Sequence, residues 1–288
     1  MKFLKTTSIA SFIFFLFFGF NANSQELHGI LCGGEIRQAD MDVAAEFESA
    51  NPGVTIKWEA VPWGTCQDKV INLAIAGDPV DLAYVGSRTL KGLAENGHII
   101  NVDIPQSQIG MYQPGILNTV SHMGKVWGYP RAFSTKALFM NCDLLEQAGV
   151  ACEGPKTWGE LYTMAEAVTN NVPGVAGIGL TGKDFDNTMH QFLNYLYSNG
   201  GQVIDPDTNT ITLNSSNAVE ALAFYGKLAN VAQEGPLAYE RSQLRDLLND
   251  KKIAMYIDGP WGRGTHNEDL NMKTVRIPAG PSGSRGTL

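Results

Sequence analysis

Apolar and polar positions follow a regular order along the first third of the chain. An apolar segment near Leu27–Leu31 predicts a strand, and Gly33-Gly34 breaks it. Apolar residues then recur at helical spacing from about Gln38 to Ala50, with Met41, Ala44, Ala45 and Phe47 expected on the buried face. Asn51-Pro52-Gly53 stops that helix. Val54–Ala60 alternates cleanly, with Val54, Ile56, Trp58 and Ala60 opposed to Thr55, Lys57 and Glu59, the period of a strand. A second helix is expected over roughly Cys66–Ala76, a short buried strand over Leu82–Val85 and a third helix near Ser87–Glu95. The order β-α-β-α-β-α predicts a parallel sheet with helices on both faces.

The rest of the chain reads as a second unit of the same kind. Val126–Pro130 and Lys136–Met140 predict strands separated by the polar break Arg131–Thr135. Asp143 is placed to cap a helix ending at Gly149, and Thr157-Trp158-Gly159-Glu160 is a capping box opening the next. Ala176–Leu180 predicts a strand, Asn187–Ser198 a helix, and Asp205-Pro206-Asp207-Thr208-Asn209 a hairpin turn. Ser215 or Ser216 caps a long helix, and another spans about Tyr239–Asn249. Strands follow at Ile253–Ile257 and Thr274–Ile277. The fold class is therefore α/β, with two doubly wound lobes. The first covers residues 25–132, the second 136–277. The break between them is strand-like, which predicts a stiff hinge through Ala132, Phe133 and Ser134.

The first 24 residues differ in kind. Lys2 and Lys5 precede an apolar, Phe-rich run, Ile9–Phe20, and Asn21-Ala22-Asn23-Ser24 supplies small residues for cleavage. This is the order of a secretory signal peptide, and the run is short for a membrane-spanning helix. No Cys stands at the cleavage site, so the reading is a soluble periplasmic protein without a lipid anchor. Removing the leader leaves 19 basic and 29 acidic residues, a net charge of −10. With no Lys/Arg run, nucleic acid and anionic membranes are poor partners. The four cysteines, Cys32, Cys66, Cys142 and Cys152, permit two disulfides in an oxidising compartment, in any of three connectivities. Cys142–Cys152 is the local pairing, and Cys32–Cys66 would then tie the ends of the first two strands. Four reduced thiols are the alternative. Neither CxxC nor HxxxH spacing is present to support zinc.

Five stretches carry a resemblance. They are Phe47–Val54, Ala76–Leu82, Gly124–Pro130, Asn141–Leu145 continuing through Ala148-Gly149 and Pro155–Leu161, and Lys252–Trp261. In this order they resemble the extracellular sugar-binding protein family of bacterial ABC importers, the group that contains the maltose-binding proteins. Ala254-Met255 followed by Gly259-Pro260-Trp261 is the most specific match. The resemblance implies a type II periplasmic-binding fold whose chain crosses between lobes three times, here at 131–135 and again at 278–284. It implies binding of a mono- or oligosaccharide by a monomer, without catalysis or cofactor, and delivery to a membrane permease.

In doubly wound sheets ligands sit at the carboxyl ends of the strands. That rule selects Glu35 after the first strand, Trp63 after the second, and Ser87 and Arg88 after the third. Arg131 lies in the crossover, Asn187 opens a helix, and Asp258 and Trp261 follow a late strand. A sugar offers C–H faces to an aromatic ring and hydroxyls to polar groups, and the resemblance puts Trp261 against such a face. The alternatives are structural: Trp261 packing a hinge, and Glu35, Arg88, Arg131 and Asp258 forming surface or hinge ion pairs. Trp58, Trp127 and Trp158 read as packing residues. No GxxxxGK phosphate cradle is present, so an ATPase would be a separate subunit. Other readings are the same fold binding a polyamine or a phosphorylated polyol, and a glycoside hydrolase using Glu35 and Asp258 as paired carboxylates.

Family members continue for roughly another hundred residues beyond the second crossing. The resemblance thus implies that the sequence stops short of a segment returning to the first lobe. Residues 25–288 alone are then expected to leave an open sheet edge and exposed apolar surface, to aggregate and to bind weakly. A cooperative melt with micromolar sugar binding would contradict this.

Overall fold

In a computed structural model of the protein, residues 24–205 and 207–287 are described. The expected leader, residues 1–24, lies outside them except for Ser24. The chain divides at Tyr129–Pro130 into two compact units.

The first unit is built on three parallel strands, β1 (Gln25–Cys32), β2 (Val54–Val61) and β3 (Leu82–Tyr84), in the order β2-β1-β3. β1 pairs in register with β2 from Gln25↔Val54 to Cys32↔Val61. Helices α1 (Gln38–Ala50), α2 (Trp63–Ile75) and α3 (Ser87–Glu95) connect and follow them. Parallel neighbours require such crossovers, because a tight turn cannot bring the chain back to the same end. The core here gathers Ile30, Cys32, Val61, Cys66, Val70 and Leu93. Two short helices, α4 (Gln106–Ile109) and α5 (Pro114–Thr119), and a hairpin of β4 (Ser121–His122) and β5 (Lys125–Val126) complete the unit.

Several expectations are corrected in this unit. On α1 only Ala44 is buried, and Met41 and Phe47 stay exposed, because among the described residues little packs on that face. α2 starts at Trp63, three residues earlier than its periodicity suggested, since Pro62 at the N-cap sets the entry. The strand expected at Val126–Pro130 shrinks to two residues of a hairpin, and the chain beyond it is irregular up to Ala137.

The second unit centres on β6 (Ala137–Asn141), an apolar strand flanked by β9 (Met255–Asp258) and β10 (Met272–Val275), both antiparallel to it. A strand covered on both sides reads as a continuous apolar run, and Leu138, Phe139 and Met140 are buried. Residues 176–180 make only isolated parallel bridges, Ala176↔Ile253, Ile178↔Ala232 and Gly179↔Tyr256, where a strand was expected. Around this sheet pack α6 (Cys142–Gln147), α7 (Trp158–Asn171), α8 (Asp186–Ser198), α9 (Ser216–Leu228) and α10 (Arg241–Asn249), with a small hairpin of β7 (Ile204–Asp205) and β8 (Thr210–Ile211). Asn141, not Asp143, caps α6, its side chain accepting from Leu144 N–H at 3.3 Å. At the start of α7 half of the expected box forms: the Thr157 hydroxyl accepts from Glu160 N–H at 3.2 Å, while Glu160 Oε2 accepts from Lys156 N–H at 2.7 Å, one residue before the cap. Trp158 stacks on Phe224 with centroids 4.6 Å apart, a packing role.

The two units meet at Tyr129–Pro130. Within the stretch 278–284, Ala279 N–H donates to Lys156 O, Trp158 N–H to Ala279 O and Ser282 N–H to Ser198 O. Backbone groups that find partners in the unit hold the segment there.

Both disulfides form, Cys32–Cys66 and Cys142–Cys152. The first joins the last residue of β1 to the first turn of α2, not to the end of β2. A cross-link mainly restricts the unfolded chain, more so for a longer loop. Replacing Cys32 and Cys66 together by Ala, across a separation of 34, is expected to cost about 3–4 kcal/mol. The Cys142 and Cys152 pair, separated by 10, should cost about 2–3 kcal/mol. Chemical denaturation of both variants checks the order, and equal losses would contradict it.

Candidate functional site

Each unit assembles its own group of predicted residues. In the first, β1, β2 and β3 run parallel, so their carboxyl ends lie along one edge. Glu35, Trp63, Ser87 and Arg88 follow those ends directly. Trp63 is half-buried, its ring centroid 6.0 Å from that of Tyr84. Gly86 N–H donates to Gln67 Oε1 at 3.0 Å, which ties the start of α3 to α2. Ser87 and Arg88 are exposed on the first turn of α3. Glu35 is exposed and accepts from Arg37 Nε at 3.0 Å, a surface pair of the bland kind.

In the second unit the organising group is Asp258, the last residue of β9, which is fully buried. Its Oδ1 accepts from Arg241 Nη1 at 2.5 Å, Trp261 Nε1 at 2.6 Å and Gly259 N at 2.7 Å. Its Oδ2 accepts from Tyr256 OH at 2.7 Å. Four donors on one carboxylate satisfy a charge that would otherwise be costly to bury. Trp261 lies in a 3-10 turn, Pro260–Gly264, and remains 40% exposed. The turn needs its glycines: a Cβ on Gly259 would sit 2.4 Å from Trp261 Cη2, and one on Gly262 would sit 3.0 Å from Asp258 Oδ2. The indole is thus held by its N–H at one edge and by backbone below, with ring surface left open.

Two cations lie at that ring. Arg241 Cζ is 4.7 Å and Lys136 Nζ 5.0 Å from its centroid. Burial pulls the Lys136 ammonium below its ordinary pKa; Arg241 adds to this, and Asp258 and Asp186 oppose it. The Tyr256 hydroxyl is held well above the ordinary range, first by burial and then by the Asp258 charge, so it remains a donor. Asn187 points its amide at Glu240, Nδ2 to Oε2 at 3.0 Å, and that carboxylate also caps α10 by accepting from Ser242 N–H. α10 therefore enters with Arg241 aimed at Asp258.

The structure thus joins Asp258 and Trp261 in one cluster, and Asn187 reaches it through Glu240. Arg131 is exposed at the start of the second unit, followed by exposed Ala132 and Phe133 and half-buried Ser134, whose hydroxyl is 3.4 Å from Lys136 Nζ. Lys136, Arg241, Tyr256 and His266 were missed. Tyr256 was legible, since it stands two residues before Asp258 on the same strand and shares its face. Lys136 and Arg241 carry no local signal, because each arrives on a different element.

Breaking a buried pair leaves the surviving charge unsatisfied, at about 3–5 kcal/mol. Asp258→Ala is expected to lose stability on that scale. Combining Asp258→Leu with Arg241→Met should recover part of it. Thermal melts of the two variants check this, and an additive loss in the double variant would contradict it.

Residues 33–283 match the family described as bacterial extracellular solute-binding protein. A Brucella abortus protein, whose name says binding protein and gives no ligand, is 30% identical over 253 residues, covering 85% of this chain and 61% of its own length. The maltodextrin-binding protein of Bacillus subtilis is 28% identical over 217 residues, 72% of this chain and 50% of its own. This chain therefore spans about half to three-fifths of the length of these relatives. Among solved structures, an ABC transporter solute-binding protein of Thermotoga lettingae bound to α-D-tagatose superposes with a TM-score of 0.78 at 23% identity, over 92% of this chain and 70% of that one. That likeness shows the expected type II periplasmic-binding fold. On its own sequence, the chain belongs to the bacterial extracellular solute-binding protein family.

Proposed function

We propose that this protein is the periplasmic solute-binding component of an ABC importer and that it binds a mono- or oligosaccharide. The observation that carries this reading is the Trp261 platform, an indole anchored at its N–H and partly open on its ring. An anchored aromatic ring is the surface that the C–H face of a sugar needs. Arg241 and Lys136 beside it, with Asn187 nearby, supply polar groups for hydroxyls, the usual composition of a small-molecule site. The names of relatives point the same way, with a maltodextrin and a tagatose among the bound solutes.

At the strand ends of the first unit, Trp63, Ser87, Arg88 and Glu35 are assigned as further ligand contacts. Arg131, at the start of the second unit, is assigned as a further ligand contact, and Ala132, Phe133 and Ser134 are assigned to the hinge. The protein acts as a monomer, without catalysis, after export behind its leader, and passes its solute to membrane permease subunits. Two cations at Trp261 repel a polyamine, which weakens that alternative.

A thermal-shift screen of sugars, polyamines and polyol phosphates on the whole protein tests the reading. A solute at a hundred times its Kd adds about 2.7 kcal/mol. A saccharide is expected to raise the melting temperature of the wild type, and Trp261→Ala is expected to abolish the response. A shift with only a polyamine or a phosphate would overturn the sugar assignment.

A further inference from the structure

Beneath the Trp261 platform lies a chain of hydrogen bonds that ligand contact alone does not require. It runs from His266 through Tyr256 to Asp258. His266 Nε2 stands 3.1 Å from Tyr256 OH, and Tyr256 OH stands 2.7 Å from Asp258 Oδ2. On the other side of the ring, His266 Nδ1 faces Asn249 Oδ1 at 3.2 Å. The amide of Asn249 is oriented by two further bonds: its Nδ2 donates to Thr265 O, and its Oδ1 accepts from Asn267 N–H. Nδ1 of His266 must therefore carry a hydrogen in either charge state.

Two arrangements follow. In the imidazolium form Nε2–H donates to the Tyr256 oxygen, and the single hydroxyl hydrogen of Tyr256 is committed to Asp258 Oδ2. In the neutral form Nε2 is a bare acceptor and competes with Asp258 for that hydrogen. Asp258 then depends more on its remaining donors, Trp261 Nε1–H, Gly259 N–H and the Arg241 guanidinium. We infer that His266 is a positioning residue for the Trp261 platform: through Tyr256 it sets how firmly Asp258 holds the indole, and it does so as a function of pH. The binding consequence rests on the saccharide reading; the relay itself does not.

The surroundings of His266 suit this role. Its ring is half-buried, packed 5.3 Å from Phe139 of β6 and 5.7 Å from Tyr256 by ring centroids. The charged groups facing it are Asp258 from β9 and Arg245 from α10, whose guanidinium pairs with Asp246 at 2.9 Å. Tyr256 stays protonated, and Phe139 and Asn249 carry no charge. Burial holds the imidazole below its ordinary value of 6.5; Asp258 opposes this and Arg245 adds to it. Folding thus favours the neutral ring, so the stability His266 contributes is present above pH 6.5 and is lost as pH falls below that value.

The test follows the indole N–H resonances of the five tryptophans by NMR across roughly pH 5 to 8, with Trp261→Phe to assign one of them. In the wild type the Trp261 signal is expected to move downfield in a single step as pH rises, with a midpoint below 6.5. Tyr256→Phe and His266→Gln are expected to abolish the step. A flat Trp261 signal in the wild type would overturn the relay. An undiminished step in Tyr256→Phe would overturn it as well, because the coupling would then be charge acting through space. Should His266→Gln fail to fold, the wild type and Tyr256→Phe decide. With maltotriose as the probe, affinity should weaken about two- to tenfold on the acid side, the worth of one hydrogen bond. Unchanged affinity beside a moving resonance overturns the positioning role. If maltotriose fails to bind at every pH while the resonance still titrates, the relay stands and the saccharide reading for this probe fails.

Discussion

A carboxylate shut off from water has to be met by donors that the fold brings to it. Asp258 stands at the end of β9 with no exposure and takes four hydrogen bonds, from the chain itself, from its own strand, from the following turn and from α10. Much of the second unit's site geometry follows from that requirement. The Gly259-Pro260-Trp261-Gly262 turn is tight because the indole N–H must fold back to Oδ1. α10 is capped by Glu240 so that Arg241, its first residue, faces the carboxylate. The aromatic surface offered to solvent results from burying a charge beneath it.

The first unit solves a different problem. The residues proposed there for ligand contact hang on no single buried group. They share an edge because three strands run the same way, and each strand must be followed by a chain segment at that end. The Cys32–Cys66 link and the Gln67 bond to Gly86 draw the three segments together. A site of this kind tolerates change in any one loop, whereas the Asp258 cluster loses several contacts at once when one member changes.

Much of this was legible in the chain. Period-2 and period-3.6 patterns placed nearly every helix and the three parallel strands, and glycine and proline marked their ends. The Thr157 cap and the Gly-Pro-Trp stretch were read at their right places, because each is a local chemical pattern whose partners lie within a few residues. The apolar face of α1 was misread, since periodicity says which side is apolar and not whether anything covers it. The short Lys125–Val126 pair and the isolated bridges at residues 176–180 were overcalled as strands, because β-propensity reflects neighbours more than the segment itself.

Sequence by itself determined the α/β class, the order of elements, the position of Trp261 and the kind of chemistry an exposed tryptophan beside an acid can offer. Tertiary structure alone decided which cations surround that ring. Asp258, Arg241, Lys136 and His266 come from four separate stretches, and their meeting depends on how strands and helices pack. Local periodicity reports the backbone path of each stretch. Three of the donors to the buried charge, Tyr256, Gly259 and Trp261, lie within three residues of it, but Arg241 stands 17 away, and that contact exists only once the chain has closed around the carboxylate.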